Sequence, residues 1–296
     1  MRENSFEIHR HEILFENFGE PILLKPFGDV HRFAHNCAEE RWLDELDWCK
    51  KQENIYYLGM GDYDDFASHS ERHALRSAGL HETTIRSLDD MAEIRMKDFV
   101  DEIAFMKGRV IGLVEGNHHH SFGSGITTTQ KICEAMNCRY LGISCFIRLV
   151  FKYAKGNKSR SLDIWAHHGR GASRLIGGSV NNVQRMADAA EADIYLMGHD
   201  HKKWGATMSR LKLDSGNKSV CLSRRKIILA RTGSFQLGYK PGEPSYPAQM
   251  AMAPTDLGAV SIELTPKLHR KQKGTRYDGG RMKLEEEFEI DMHLRI

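Results

Sequence analysis

No run of about 18 apolar residues occurs in this chain, so nothing in the sequence reads as a membrane-spanning helix. The first twenty residues, MRENSFEIHRHEILFENFGE, are polar and charged and lack the apolar stretch of a secretory signal. Six cysteines are present (Cys37, Cys49, Cys133, Cys138, Cys145, Cys221), but no two form a CxxC pair. Free thiols in a reducing cytoplasm are therefore expected, with no membrane association and no thiolate metal site. An excess of charge is missing too: 42 basic against 40 acidic side chains leave a net +2, which gives no global reason to bind nucleic acid. Proline is scarce, and four of the seven fall between Lys240 and Pro254, where an irregular loop is expected. There is no internal repeat, low-complexity stretch or linker. With 296 residues, 41% apolar and 28% charged, one domain spanning 1–296 with a substantial core is expected.

Against these absences stand five short segments rich in metal-ligand side chains. They read GDVH (Gly28 to His31), GMGDYDD (Gly59 to Asp65), GNHHH (Gly116 to His120), AHHG (Ala166 to Gly169) and GHDH (Gly198 to His201). Four follow strand-like stretches: NIYYL, RVIGLVE, LDIW and DIYLM. Each is commonplace alone; five in order, each where an apolar strand gives way to a loop, point to a metal centre. The donors are carboxylate, amide and imidazole, a mixture that accepts manganese, iron or zinc and suffices for two divalent cations, manganese first among them. Asp29 and His31 are two apart, as are His199 and His201, so extended backbone would turn each pair to one side. The glycines preceding the ligands are expected to take the unusual dihedrals of the turns.

The rest of the chain supplies a layered frame. PILLKPF (Pro21 to Phe27) reads as a buried strand, and Asn36 as the cap of a helix with Trp42, Leu43, Leu46 and Cys49 on its apolar stripe. His69 to Lys107 is the longest helical candidate, its first part polar and interrupted by Gly79, in the manner of a lid or insertion. A further helix is expected near Val180 to Ala190. The motifs end at residue 201, and from about 205 to 296 the pattern changes to short alternating strands, which argues an α/β fold with a second β-rich sheet.

The order D-x-H, G-D, G-N-H, H, G-H-x-H resembles that of the calcineurin-like metallophosphoesterases, and TGSFQ (Thr232 to Gln236) resembles the strand and turn that often follow in that family. The resemblance implies a four-layer α/β/β/α sandwich with two mixed β-sheets and two metals at the sheet edges. It implies that Asp29, His31 and His201 hold one metal, that Asn117, His167 and His199 hold the other, and that Asp62 bridges them. His118 matches the family histidine that protonates the leaving group, and Asp65 the acidic residue that orients it. Alignment runs best through His167, leaving His168 beside it as a substrate contact, although the two neighbours can exchange roles. His119 and His120 stand where the family usually has an acid after GNH. Two bridged cations acidify a shared water and neutralise phosphate oxygens, so hydrolysis of a phosphate ester by a metal-bridging hydroxide is the expected reaction.

For the substrate, Arg170 and Arg174 lie just past a ligand and are candidates to grip phosphate. Nine basic residues against one acid between Lys202 and Arg231 add a stretch able to track a phosphate backbone. A phosphodiester or nucleotide-type substrate is expected, nucleic acid included. The alternatives are a phosphomonoester, from a phosphoprotein or a small molecule, and a non-catalytic metal-binding scaffold. The oligomeric state is not legible.

Overall fold

Alternation along the strands decides which way each sheet faces, and the layers follow from it. The computed structural model describes residues 6–171, 175–216, 219–242, 246–249, 251, 253–254, 256–272 and 284–296. The first half runs β1 (Glu7–Phe15), β2 (Ile22–Phe27), α1 (Glu39–Lys50), β3 (Ile55–Gly59), α2 (His69–Ser77), α3 (Glu82–Ile103), β4 (Val110–Leu113) and α4 (Thr128–Met136). Next come β5 (Ser144–Tyr153), β6 (Ser159–His167), α5 (Ile176–Ala189), β7 (Ile194–Met197), β8 (Lys203–Gly216) and β9 (Ser219–Ser234). The chain closes with α6 (Tyr246–Gln249), β10 (Gly258–Ala259), β11 (Ser261–Gln272) and β12 (Leu284–Arg295).

Two mixed sheets result. One is five-stranded in the order β12-β11-β2-β3-β4; the other is seven-stranded in the order β1-β5-β6-β7-β9-β10, with β8 also paired to β9. Ile22 and Leu24 of β2 and Leu58 of β3 face Ile147, Ile164, Leu196 and Ile228 from the other sheet, forming the central core. The opposite side of the five-stranded sheet (Phe27, Ile55, Tyr57) packs on Trp42 and Leu46 of α1, Phe99 and Ile103 of α3, and Ile132 and Met136 of α4. On the far side of the seven-stranded sheet, Trp165, Tyr195 and Leu229 receive Val183 and Met186 of α5. The layers are thus α/β/β/α, as the sequence led us to expect. Full burial of each such aliphatic side chain contributes about 1.5–3 kcal/mol. Among the described residues no helix is long and apolar enough to cross a membrane.

Several local expectations change. The polar opening segment is a strand, β1, parallel to β5 from Glu7↔Cys145 to Phe15↔Tyr153. Its inward positions are His9, His11, Ile13 and Phe15; two histidines in that row hide the apolar alternation. Asn36 does not cap α1, whose N-cap is Ala38; the Asn36 amide instead donates to the Leu237 carbonyl at 3.3 Å. Trp42, Leu46 and Cys49 are buried but Leu43 is exposed. The long helical candidate is two helices, separated by Gly79 at φ +60° and started by side-chain caps from Ser68 and His81. Within the proline-rich loop the short α6 forms. The five described cysteines are free, and the side chain of Cys221 lies outside the described residues.

A buried ion pair on β2 was not legible either. Lys25 Nζ lies 2.5 Å from Glu45 of α1 and also donates to the Ala259 carbonyl and to Ser261 Oγ. Both side chains are nearly inaccessible, so removing one partner strands a charge. Glu45→Ala is expected to lower stability by about 3–5 kcal/mol in urea unfolding, whereas replacing the pair by Met at 25 and Leu at 45 should be neutral or stabilising. A cost below about 1 kcal/mol for Glu45→Ala would contradict this account.

Candidate metal centre

Three parallel strands of one sheet (β2, β3, β4) and three of the other (β6, β7, β9) end along a shared edge. Sites in open α/β sheets lie beyond such carboxyl ends. The segments after β2 and β3 are laced together by backbone bonds: Asp29 N–H to the Gly61 carbonyl at 2.9 Å, Val30 and His31 N–H to the Asp62 carbonyl at 2.9 and 3.1 Å, and Arg32 N–H to the Tyr63 carbonyl at 3.0 Å. Left-handed backbone falls on the candidate ligands themselves: Asp29 (φ 47°), His31 (46°) and Asp62 (51°) within this lacing, and His199 (74°) and His201 (59°) after β7. Such strained non-glycine residues persist where the surroundings over-determine them, typically at functional sites. The same-side extended geometry expected for the Asp29/His31 and His199/His201 pairs is therefore not how they converge. Of the glycines expected to take unusual dihedrals, only Gly61 does, at φ +97°. Gly116 serves for space instead, since a Cβ there would sit 2.0 Å from Asp62 Oδ1.

Side chains from all five segments meet. His31 Nε2 is 3.2 Å from His201 Nε2 and 3.8 Å from Asp62 Oδ2, and His201 Nε2 is 3.8 Å from Asp29 Oδ1. Across Asp62, His168 Nε2 is 3.3 Å from the same Oδ2 and 2.9 Å from Asn117 Oδ1, which lies 2.7 Å from His199 Nδ1. Potential ligand atoms thus cluster as Asp29, His31 and His201 on one side and Asp62, His168 and His199 on the other, with a third group of His31, Asp65 and His118 beside the first. Asp62 Oδ1 is oriented by the His118 N–H at 2.8 Å. Asp65 Oδ1 lies 2.8 Å from His31 Nδ1 and 3.0 Å from His118 Nδ1, joining a candidate ligand to a candidate proton donor.

Hydrogen-bond roles make these contacts informative. His168 Nδ1 is 2.8 Å from the Met60 carbonyl, so it donates, and Nε2 is turned on Asn117 Oδ1 and Asp62 Oδ2. His31 Nδ1 donates likewise to Asp65, so its Nε2 faces the centre. Asp29 is fully buried; its Oδ2 accepts the His199 N–H at 2.8 Å, while Oδ1 has no hydrogen-bond partner. Ring nitrogens and carboxylate oxygens aimed at one common space fit divalent cations, and this mixture of donors suits manganese, iron or zinc.

The charges respond to this crowding. Burial, with Asp62 adding to it, pushes Asp29 up to about 7. Burial also opposes ionisation of Asp62, but His168, His31 and His118 outweigh it and hold that carboxyl well below the usual range. Burial lowers His168, yet Asp62 and Asp29 overcome it and raise the ring to about 9, a proton held where a cation would take its place. Burial and the neighbouring His168 lower His199 to about 4, and burial with His31 lowers His201. Burial works against protonation of His118 too, but its bond to Asp65 prevails and sets it above its ordinary value.

Other sequence candidates lie elsewhere. His167 does not join the cluster: its Nδ1 accepts the Gly169 N–H at 2.8 Å, and His168, the first residue past β6, takes the position that alignment assigned to His167. Arg170 is exposed, and Arg174 lies outside the described residues. His119 Nδ1 turns to the Gly116 carbonyl at 2.8 Å, and His120 pairs with Asp89 at 2.6 Å.

Several cations of the basic stretch from Lys202 to Arg231 are engaged by the chain's own acids, while Lys212 and Arg224 are exposed. Lys203 pairs with Asp256, Arg225 with Asp193 and Lys226 with Asp291. Arg231, with none of its surface exposed, donates to the Gly198 carbonyl at 2.7 Å and lies 3.4 Å from Asp200, which Ser179 also contacts. It braces the GHDH loop from below, a role that a count of basic residues gave no hint of. Only a charged residue at an inward strand position, between Ala230 and Thr232, signalled it. Arg72, also missed, clamps the GNHHH loop by donating to the Asn117 and His119 carbonyls at 2.7 and 2.8 Å.

No family model and no curated protein matches the chain. Among solved structures it is similar to wild-type Vps29 complexed with zinc from Entamoeba histolytica, at 15% identity and a TM-score of 0.32, covering 90% of this chain and 99% of that one. A double mutant of Vps29 from the same organism matches at 14% identity and a TM-score of 0.32, over 91% and 99% of the respective chains.

Proposed function

We propose that this chain is a binuclear metal-dependent phosphoesterase. The observation that supports it most is the convergence of nitrogen and oxygen donors around Asp62, with Asp29 Oδ1 buried and unpartnered. Asp29, His31 and His201 would hold one cation, Asn117, His168 and His199 the second, with Asp62 shared. When bound, the cations supply an acidified water and positive charge for the phosphate oxygens. The chain's residues do the rest. Asp65 fixes the His31 ring so that Nε2 faces the centre, and it fixes His118 through Nδ1. The His118 ring keeps a quarter of its surface open, and Nε2, which takes none of these contacts, holds the proton for the departing alkoxide.

A metal-binding scaffold is the weaker reading, because scaffolding places no demand on seven convergent donors or on a histidine steered by Asp65. Within the phosphoesterase reading the substrate is an ester small enough to reach the edge of the sheets. A long polyanion has less support from the basic stretch, since Lys203, Arg225 and Arg231 within it are paired inside the chain.

Two experiments test this. In a manganese-supplemented assay on phenyl phosphate and bis(p-nitrophenyl) phosphate, Asp62→Asn should lose metal and turnover together. His118→Ala should keep its metal and lose turnover on phenyl phosphate by about 10²–10⁴-fold, with a smaller loss on bis(p-nitrophenyl) phosphate, whose acidic leaving group needs little protonation. Loss of metal from His118→Ala would make it a ligand and overturn its proposed role. Separately, His168→Gln should lose about half the bound manganese and much of the rise in Tm on adding the ion, while His167→Ala keeps both. The reverse result would return the ligand position to His167.

A further inference from the structure

We propose that the cavity between α2, α3 and the loop after Asn117 binds an apolar alkyl or aryl group carried by the phosphate ester, an inference that rests on the phosphoesterase reading above. The cavity measures about 660 Å³, within the range of small-molecule sites. Its walls include Phe66, Leu80, Ile85, Leu88, Met91 and Phe122. The helix α3 carries one apolar stripe whose two halves have different fates. Ala92, Phe99 and Ile103 are buried, whereas in its N-terminal half Ile85 and Met91 line the cavity with 43% and 38% of their surface in water. Leu75 of α2, also exposed, lies on the same cavity. Apolar side chains from two helices thus share one hollow among the described residues.

The charged groups on the walls are engaged within the protein, which decides what the hollow can read. Arg72 donates to the Ala67, Asn117 and His119 carbonyls. Asp89 pairs with His120, and Arg95 lies over the Phe66 ring near Asp64. A nucleobase would bring donors and acceptors to a wall whose charged partners are taken; a hydrocarbon brings none. Position makes the link to the centre. Asp65 lines the cavity and contacts both His31 and His118, and the Phe66 N–H donates to the His118 carbonyl at 3.1 Å. An ester with its phosphorus at the centre and its leaving oxygen near His118 has this hollow beside it for its substituent.

The test uses the full-length protein with manganese. Calorimetry gives Kd for methyl-, butyl- and octylphosphonate and for adenosine 5′-monophosphate. Each buried methylene is worth about fourfold, so octylphosphonate should bind about 10²-fold more tightly than butylphosphonate. Gly123 sits on the cavity wall where an added Cβ meets nothing within 4 Å. Gly123→Trp should collapse the octyl-to-butyl ratio to about threefold or less, and Ile85→Ser, at an exposed position, should reduce it several-fold. The proposal is overturned if octylphosphonate binds no tighter than butylphosphonate. It is equally overturned if the ratio survives in Gly123→Trp, or if adenosine 5′-monophosphate outbinds octylphosphonate. Hydrolysis of phenyl phosphate, run in parallel, reports the phosphoesterase reading alone. Its absence with manganese, iron and zinc would defeat that reading, while the phosphonate ratio would still decide the cavity.

Discussion

Asp29 is the residue through which the two sheets are tied at their shared edge, and it is tied by every polar atom except one. Its N–H reaches the loop after β3, its carbonyl accepts from Ser234 Oγ and the Phe235 N–H at the end of β9, and Oδ2 accepts the His199 N–H after β7. The remaining oxygen, Oδ1, is left without a partner in a fully buried side chain. Burying a carboxylate oxygen in that state is costly unless a positive charge completes it. The unpaired atom and the left-handed backbone of the candidate ligands fit one design: hydrogen bonding places the donors, and, in the reading proposed here, a cation would neutralise their charge.

The same economy runs outward from the centre. Arg231 holds the Gly198 carbonyl beside Asp200, and Arg72 holds the carbonyls of Asn117 and His119, so each of these two ligand loops rests on a guanidinium from another element. Asp65 then lies between this part and the helices α2 and α3, touching His31 and His118 on one side and the apolar hollow on the other. Chemistry and substrate choice, in the reading proposed here, meet at that carboxylate.

Much of the frame was legible because its strands are apolar on both faces: β3, β4 and β7 are flanked by helices on one side and the second sheet on the other, so their sequences read as short continuous apolar runs. The segments after them were legible because histidine and aspartate pairs next to glycine rarely follow such strands by accident. The rest was hidden for identifiable reasons. β1 places His9 and His11 in its inward row, which masks its period. The His167/His168 choice depends on the strand's phase, which adjacent histidines leave open. Arg231, Arg225 and Lys25 look like surface charge until long-range partners such as Asp200, Asp193 and Glu45 are brought to them by the fold.

The central claim is that these donors hold two cations on either side of Asp62. Anomalous diffraction from crystals of the wild-type protein grown with manganese tests it directly. The account predicts two peaks per chain, one among Asp29, His31 and His201 and one among Asn117, His168 and His199, each within ligand distance of Asp62. No peak at these residues, or a single ion held instead by His31, Asp65 and His118, would contradict it.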